Sequence, residues 1–597
     1  MRLNFCGSFA DKIMMIGRQF LLIPLLPLAI VLIYSGCGKN RPDTSVSVRA
    51  EANYCSNSIT YSSPATITGT AKYQFRTSSS SGLGGVDPTP KPIRFAEVVV
   101  YNEAGAIAQC AETDGSGNFS FQANTTGETW TVKISSRANN SQYKASILNN
   151  PTSNTHYTIS TTFTPDSSKS VGTITAPATG TLEGGAFNIL DKILDTNQYL
   201  VTKTASCASM TGSFESQSLT CTPYTPTFKV NVYWTKGFNP NSYLGDNGSG
   251  LSFYVPSQDY LYILGGISGD TDSADTDHFD SSIIIHEYGH FIEAHYSTSD
   301  SPGGGHSGTT AIDARLAWSE GWANFLQAAV TGVSFYRDTV GNISGSPQIY
   351  FNVSTEYICQ TQNIPGSGCF DKGNEAGEGN FREFGITRSL YDAVDATNAG
   401  DDSFDTVNGA GTFDQLWAAF TALKTLSVNF RSFGLFQEVH AAFSGSTSYT
   451  ALLGSENQVA NRTGYATKVQ GGACTTAIPK STTTATNGSG AYISFDYWDY
   501  IKTSNGTINF TLNYSSPGSE DMDLFIMRRD HNLFNNYSPI ELDVSDMVLF
   551  NDSTTDNGSV SLTPSLAIGH YLVVVQYYTG AGSINYTLTA GGAQVCP

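Results

Sequence analysis

Charge is scarce in this 597-residue chain: 14% of residues are Asp, Glu, Lys or Arg, and 31 basic residues face 51 acidic ones, for a formal net charge of −20. A surface of that sign repels phosphate backbones, which argues against nucleic acid as a partner. No Cys-x-x-Cys pair occurs anywhere, which argues against a cysteine-based metal site. Past residue 34 there is no apolar run of the roughly 20 residues that a membrane-spanning helix needs. What is plentiful is Gly (58), Tyr (31) and tracts of Ser, Thr and Asn. That mixture fits β-rich extracellular proteins with polar loops. The chain is too long for a single core, so several domains are expected.

Lys12 and Arg18 precede an apolar run at 20–34, whose fifteen residues include Pro24 and Pro27. That length suits the core of a signal peptide. The run leads into "SGCGKN", which resembles the lipobox of bacterial lipoproteins, with Cys37 as the lipidated residue. The expectation is a leader at 1–37, a tether at 38–50, and a protein held at the bacterial cell envelope by its lipid anchor or secreted. Cys55, Cys110, Cys207, Cys221, Cys359, Cys369, Cys474 and Cys596 make an even set in an exported chain, which predicts disulfides. Pairing nearest neighbours keeps each bridge inside one segment.

Hydrophobic periodicity divides the rest. Residues 51–178 alternate short β-branched runs with turns. Within them, "AEVVVY", a turn at 103–105, a second strand, the turn "TDGSG" and "NFSFQ" together resemble the carboxypeptidase-regulatory-like β-sandwich. From about 180 the period turns helical, with Phe187, Leu190, Ile193, Leu194 and Leu200 on one stripe. Strands are expected at 228–234 and 259–266, and helices at 282–296, 311–330, 381–396 and 412–426. This makes 180–465 one α+β domain. A Gly/Thr/Ser-rich stretch at 471–490 marks the next boundary. Residues 474–597 are strand-rich. Their "DMDLF" and late "GHYLVVV" strands resemble the bacterial pre-peptidase C-terminal domain, a β-sandwich common on secreted metalloproteases.

The chemistry is carried by "SSIIIHEYGHFIEAHY". His286-Glu287-x-x-His290 puts two imidazoles four residues apart, on one face of a helix and about 6 Å from each other. Two such imidazoles can grip one Zn²⁺. Glu287, one residue round, can take the proton of an attacking water without itself holding the metal. A third ligand is needed. The metzincin continuation HxxGxxH fails, because Glu293 and Tyr296 stand at its Gly and His positions. His295 lies about 140° round the helix from His290 and is excluded from the ligand face. Glu320, 30 residues after His290 in "AWSEGWANF", is the candidate.

Trp318-Ser319-Glu320-Gly321-Trp322-Ala323 resembles the turn that supplies the zinc glutamate in gluzincins, the thermolysin-like and aminopeptidase-like metallopeptidases. The resemblance implies a multidomain protein with an α+β gluzincin-like catalytic domain between two all-β sandwich domains. It implies one catalytic Zn²⁺ on His286, His290 and Glu320, Glu287 as general base, and a protein or peptide substrate. No GxMEN-like segment for capturing a substrate amine is present, which favours an endopeptidase. Asn324, one turn after Glu320, stands where these enzymes often carry an acidic partner for a ligand histidine. Asp277 and Asp280 are alternatives for that part, although Asp280 with Ser281 and Ser282 reads more simply as a helix cap. For stabilising the oxyanion the candidates are Tyr391 and His306. Calcium is a second candidate ion, at the five aspartates of 269–280 or at Asp521 and Asp523. The spacing is not that of an EF-hand, and both places read more simply as solvated acidic segments. The rival reading is a non-enzymatic surface lipoprotein binding host or cell-envelope ligands through its β-domains, but an intact Glu287 argues against a decayed site.

Overall fold

A computed structural model describes residues 51–594, apart from 57–58, 80–81, 215, 245–249, 307–311, 342–348, 354–356, 360–368, 372–380, 396–412, 427–429, 444–476, 480–494, 515–519, 530–546, 552–557 and 580–582. The apolar run and Cys37 lie outside the described residues, as do Cys474 and Cys596. Within them the chain is a multidomain mixture of β-sheets and six α-helices. None of those helices is long and apolar enough to cross a membrane.

The first part contains two four-stranded sheets. One is built on Pro64–Tyr73, paired with Asn118–Asn124, Lys169–Ala176 and Lys91–Pro92. The other orders Thr158–Phe163, Trp130–Ser135, Glu97–Tyr101 and Ile107–Glu112. Strict alternation puts Phe119, Phe121 and Ala123 on the inner side of their strand and Asn118, Ser120 and Gln122 in water. The sheets meet through Phe121 and Phe163, whose ring centroids are 5.8 Å apart. Cys55–Cys110 ties the leading segment to the edge strand.

A five-stranded sheet follows, ordered Phe253–Val255, Tyr260–Ile263, Val230–Trp234, Lys144–Leu148, Arg137–Asn139. Lys144–Leu148 runs parallel to Val230–Trp234, which runs parallel to Tyr260–Ile263. Two strands from the N-terminal side of residue 178 thus belong to the sheet beneath the helices, and one hydrophobic core continues from Ala65 to Phe443. Parallel neighbours need a long crossover. Here it contains helix α1 (Glu183–Lys203), which buries the expected stripe of Phe187, Leu190, Ile193, Leu194 and Leu200. Cys207–Cys221 closes the turn after it.

Helix α2 (Ser281–Tyr296) is buried on every side from Ser282 to Glu293. Helix α3 (Ala314–Thr331) is equally enclosed from Ala314 to Ala328. Helix α4 (Glu383–Tyr391) is shorter than the sequence suggests, as is α5 (Phe413–Ala422). A further helix, α6 (Phe433–Ala442), completes the layer. The helices touch at close quarters. A Cβ on Gly289 of α2 would lie 3.1 Å from Ala323 of α3, and one on Gly321 would lie 2.6 Å from Ile386 of α4.

The last part pairs a five-stranded sheet with a four-stranded one, around Trp498, Leu512, Leu524, Val573 and Leu588. Asp521 and Asp523 are buried rather than solvated, because Asp521–Arg528 is an inner strand between Gly569–Thr579 and Met547–Asn551. The outer face of this sheet presents Tyr497, Phe525, Met527, Leu572 and Val574 to Ala314, Phe381 and Phe430 of the helical part. Within 269–280, Asp270 and Asp272 are exposed as expected, but Asp277 and Asp280 are buried under the N-terminus of α2. Cys359 and Cys369 lie directly opposite each other in a short antiparallel pair.

Candidate metal centre

Helix α2 sets His286 and His290 one turn apart. Their ring centroids are 4.8 Å apart and nearly perpendicular. Helix α3 crosses at Gly289 and presents Glu320 to both. The Nε2 atoms of His286 and His290 are 3.2 Å apart, and each reaches Glu320 Oε2, at 3.2 and 3.4 Å. All three side chains are 2% exposed or less.

The outer nitrogens decide the tautomers. His286 Nδ1 lies 3.0 Å from Asn324 Oδ1, an acceptor, so Nδ1 carries the proton. Ser319 Oγ donates to Glu293 Oε2 at 2.6 Å, which leaves its lone pairs for His290 Nδ1–H at 3.1 Å. Both Nε2 lone pairs therefore face one point beside a carboxylate oxygen. Lone pairs so gathered repel unless a cation sits between them, and two imidazoles with one carboxylate are the donor set of a catalytic zinc site with a position left open. Burial raises the Glu320 carboxyl, and positive charge at the surrounding imidazole positions, His306 first, outweighs it and lowers the group well below the usual carboxylate range, so the pocket favours a carboxylate anion when it holds positive charge.

His306 enters from the loop between α2 and α3. Gly303 and Gly304 take φ of 68° and 120°, a turn that only glycine makes without strain, and the chain is bent inward. His306 Nδ1 contacts Glu383 Oε2 at 2.6 Å, and its Nε2 lies 3.5 Å from Glu320 Oε1. Glu383 stands in the first turn of α4, where the helix dipole favours a carboxylate. Glu287 is 2% exposed on the same helix as the ligands.

Tyr391 is half-buried at the end of α4 and packs on the apolar group of Ile283, Tyr336 and Phe384. A second phenol, which the sequence did not single out, lies against one of the histidines. Tyr336 stands edge-on to His286 with centroids 5.9 Å apart. Burial first, then Asp338, Glu287, Asp277 and Glu320, pushes its hydroxyl well above its ordinary range, so it stays protonated and able to donate.

Asp280 occupies the cap position of α2, but its side chain makes no capping bond. Its Oδ2 accepts instead from the N–H and hydroxyl of Thr339, at 2.7 and 2.8 Å. Asp277 bonds Ser252, and neither aspartate has a described bond to a ligand histidine. His295 points away and bonds Asp259 at 2.7 Å. Reading the sequence did not find Ser319, Glu293, Glu383 or Tyr336 as partners of the centre. Ser319 and Glu293 each adjoin a motif already singled out, whereas nothing local marks Glu383 or Tyr336.

No family model matches the chain. An uncharacterized protein of Archaeoglobus fulgidus is 31% identical over 138 residues, which is 22% of this chain and 33% of that protein. The chain therefore spans about a third of that relative's length.

Proposed function

We propose that this chain is a zinc-dependent metallopeptidase of the gluzincin type, acting outside the cell and cutting within protein or peptide chains. The observation that carries this reading is the convergence of His286 Nε2, His290 Nε2 and Glu320 Oε2 within 3.4 Å, with both Nδ1 atoms already engaged. Zinc held there would supply Lewis-acid chemistry, polarising a scissile carbonyl and lowering the pKa of water towards about 7. Glu287, on the ligand helix and shielded from solvent, accepts the proton of the attacking water and returns it to the leaving amine. His306, oriented by Glu383, and Tyr336 are the donors available for the negative charge that grows on the carbonyl oxygen. Asn324 and Ser319 hold the imidazoles in the ligating tautomer. The disulfides Cys55–Cys110 and Cys207–Cys221, together with the leader-like N-terminus, support the extracellular setting.

The test uses the purified full chain. It should contain one zinc per molecule and cleave casein or a peptide library. Glu287→Gln should keep the zinc and lose at least about 100-fold in rate. Zinc-free protein, or equal rates in the two forms, would sink the reading in favour of a binding protein.

A further inference from the structure

A second cluster of ligand-type side chains lies outside the zinc constellation, at the foot of α2. Asp275 and Asp277 stand on the loop entering the helix, and Asp338 ends the strand Phe335–Asp338. Oxygens of the three carboxylates lie within 4.8 Å of one another. The loop is pinned there by main chain, since Asp275 bridges Val340. Asp280 is held nearby by Thr339.

Asp277 is 3% exposed, its Oδ2 accepts from Ser252, and its Oδ1 has no hydrogen-bond partner. One oxygen each of Asp275, Asp280 and Asp338 is likewise buried without a partner. Burial first, then Asp338 and the neighbouring aspartates, pushes the Asp275 and Asp277 carboxyls well above their ordinary range. Like charges withdrawn from water with unused lone pairs are costly unless a cation gathers them. The set is all oxygen, with no imidazole or thiolate, which selects a hard divalent ion over zinc.

We propose that Asp275, Asp277 and Asp338 bind one Ca²⁺, which fastens the entry of α2 to the strand Phe335–Asp338. The ion would neutralise the cluster and fix the first turn of the helix, whose Ser282 hydroxyl already accepts from the N–H of Arg337 at 3.1 Å.

The full chain, stripped by chelator, is titrated with CaCl₂ by calorimetry and by thermal unfolding. The readout is calcium itself, so it stands whether or not zinc binds at His286 and His290. One Ca²⁺ should bind per chain, with Kd in the range of about 10⁻⁵ to 10⁻³ M. The Tm should climb with calcium concentration. Asp277→Asn and Asp338→Asn should each weaken binding at least tenfold and raise the Tm of the calcium-free protein, because the cost of burying an ionisable carboxyl is gone. No binding and no Tm shift up to about 10 mM Ca²⁺ overturns the proposal. Undiminished calcium binding by both variants overturns it too, as does an equal effect of Mg²⁺. If the variants fold poorly, Tb³⁺ luminescence excited through tyrosine reads the native chain. Emission displaced by Ca²⁺ and lost in Tyr336→Phe supports the site, and its absence counts against it.

Discussion

In the proposed centre, the chemistry of His286 and His290 depends on side chains that bond their outer nitrogens. Asn324 and Ser319 each take an Nδ1–H, and removing either frees a ring to turn or change tautomer. Asn324→Ala and Ser319→Ala should each weaken zinc binding about 10–100-fold, measured by competition with a chromophoric chelator. A zinc affinity unchanged in both would mean that the tautomers are set elsewhere. His306→Ala should leave zinc content unchanged while lowering kcat about 10²–10³-fold. Glu383→Gln should act in the same direction by releasing the His306 ring. Tyr336→Phe removes only the hydroxyl. Comparing it with His306→Ala in kcat tells which donor meets the oxyanion, and a normal kcat in both would dismiss the pair.

At the scale of elements, the centre depends on how closely three helices approach. Gly289 and Gly321 permit the contacts of α2 with α3 and of α3 with α4. A methyl on Gly321 would fall 2.6 Å from the Ile386 side chain, beside Glu383, the residue that orients His306. Gly321→Ala should therefore cost about 1–3 kcal/mol of stability by overpacking. It should also lower activity more than zinc content, since it displaces α4 rather than the ligands. Denaturant melts beside metal analysis check this, and a wild-type melting curve would refute it. The spacing His286–His290 was legible in the sequence because a helix is local: four residues make about one turn whatever surrounds them. Glu320 was legible through its own turn. Ser319 and Glu383 were not legible as partners, because which helix faces which is settled by packing between distant segments.

Across the whole molecule, the C-terminal sheets are fastened to the loop that carries His306. Asp300 accepts from the N–H groups of Phe430 and Arg431, at 2.9 and 3.0 Å, and pairs with Arg529 at 2.8 Å. Arg315 reaches the Arg529 carbonyl from the start of α3. Asp300, Ser301, Arg528, Arg529, His570 and Tyr571 line a cavity of about 390 Å³ along this seam. Burial would raise the Asp300 carboxyl, but Arg529 and Arg431 outweigh it and hold the group at about 2, below its ordinary 3.8. A depressed carboxyl stabilises the fold above its unfolded pKa and loses that contribution as pH falls through its folded value. The Asp300 contribution, of order 2 kcal/mol, should thus be full above about pH 4 and vanish towards pH 2. Asp300→Asn should flatten the stability profile in that window and loosen the C-terminal part, seen as faster limited proteolysis at neutral pH. An unaltered profile and digestion pattern would refute it.

By itself the sequence determined what short-range geometry determines: the paired imidazoles, the carboxylate beside them and the alternating strands. Tertiary structure alone decided the rest. It carried two strands from before residue 178 into the sheet under the helices, since parallel pairing joins segments with a long crossover between them. It buried Asp277, Asp280, Asp521 and Asp523, which read as solvated by composition, because burial depends on what covers a residue and not on its own polarity. It brought Tyr336 against His286, a placement made by the strand that lies along α2 and by nothing in the tyrosine's local sequence.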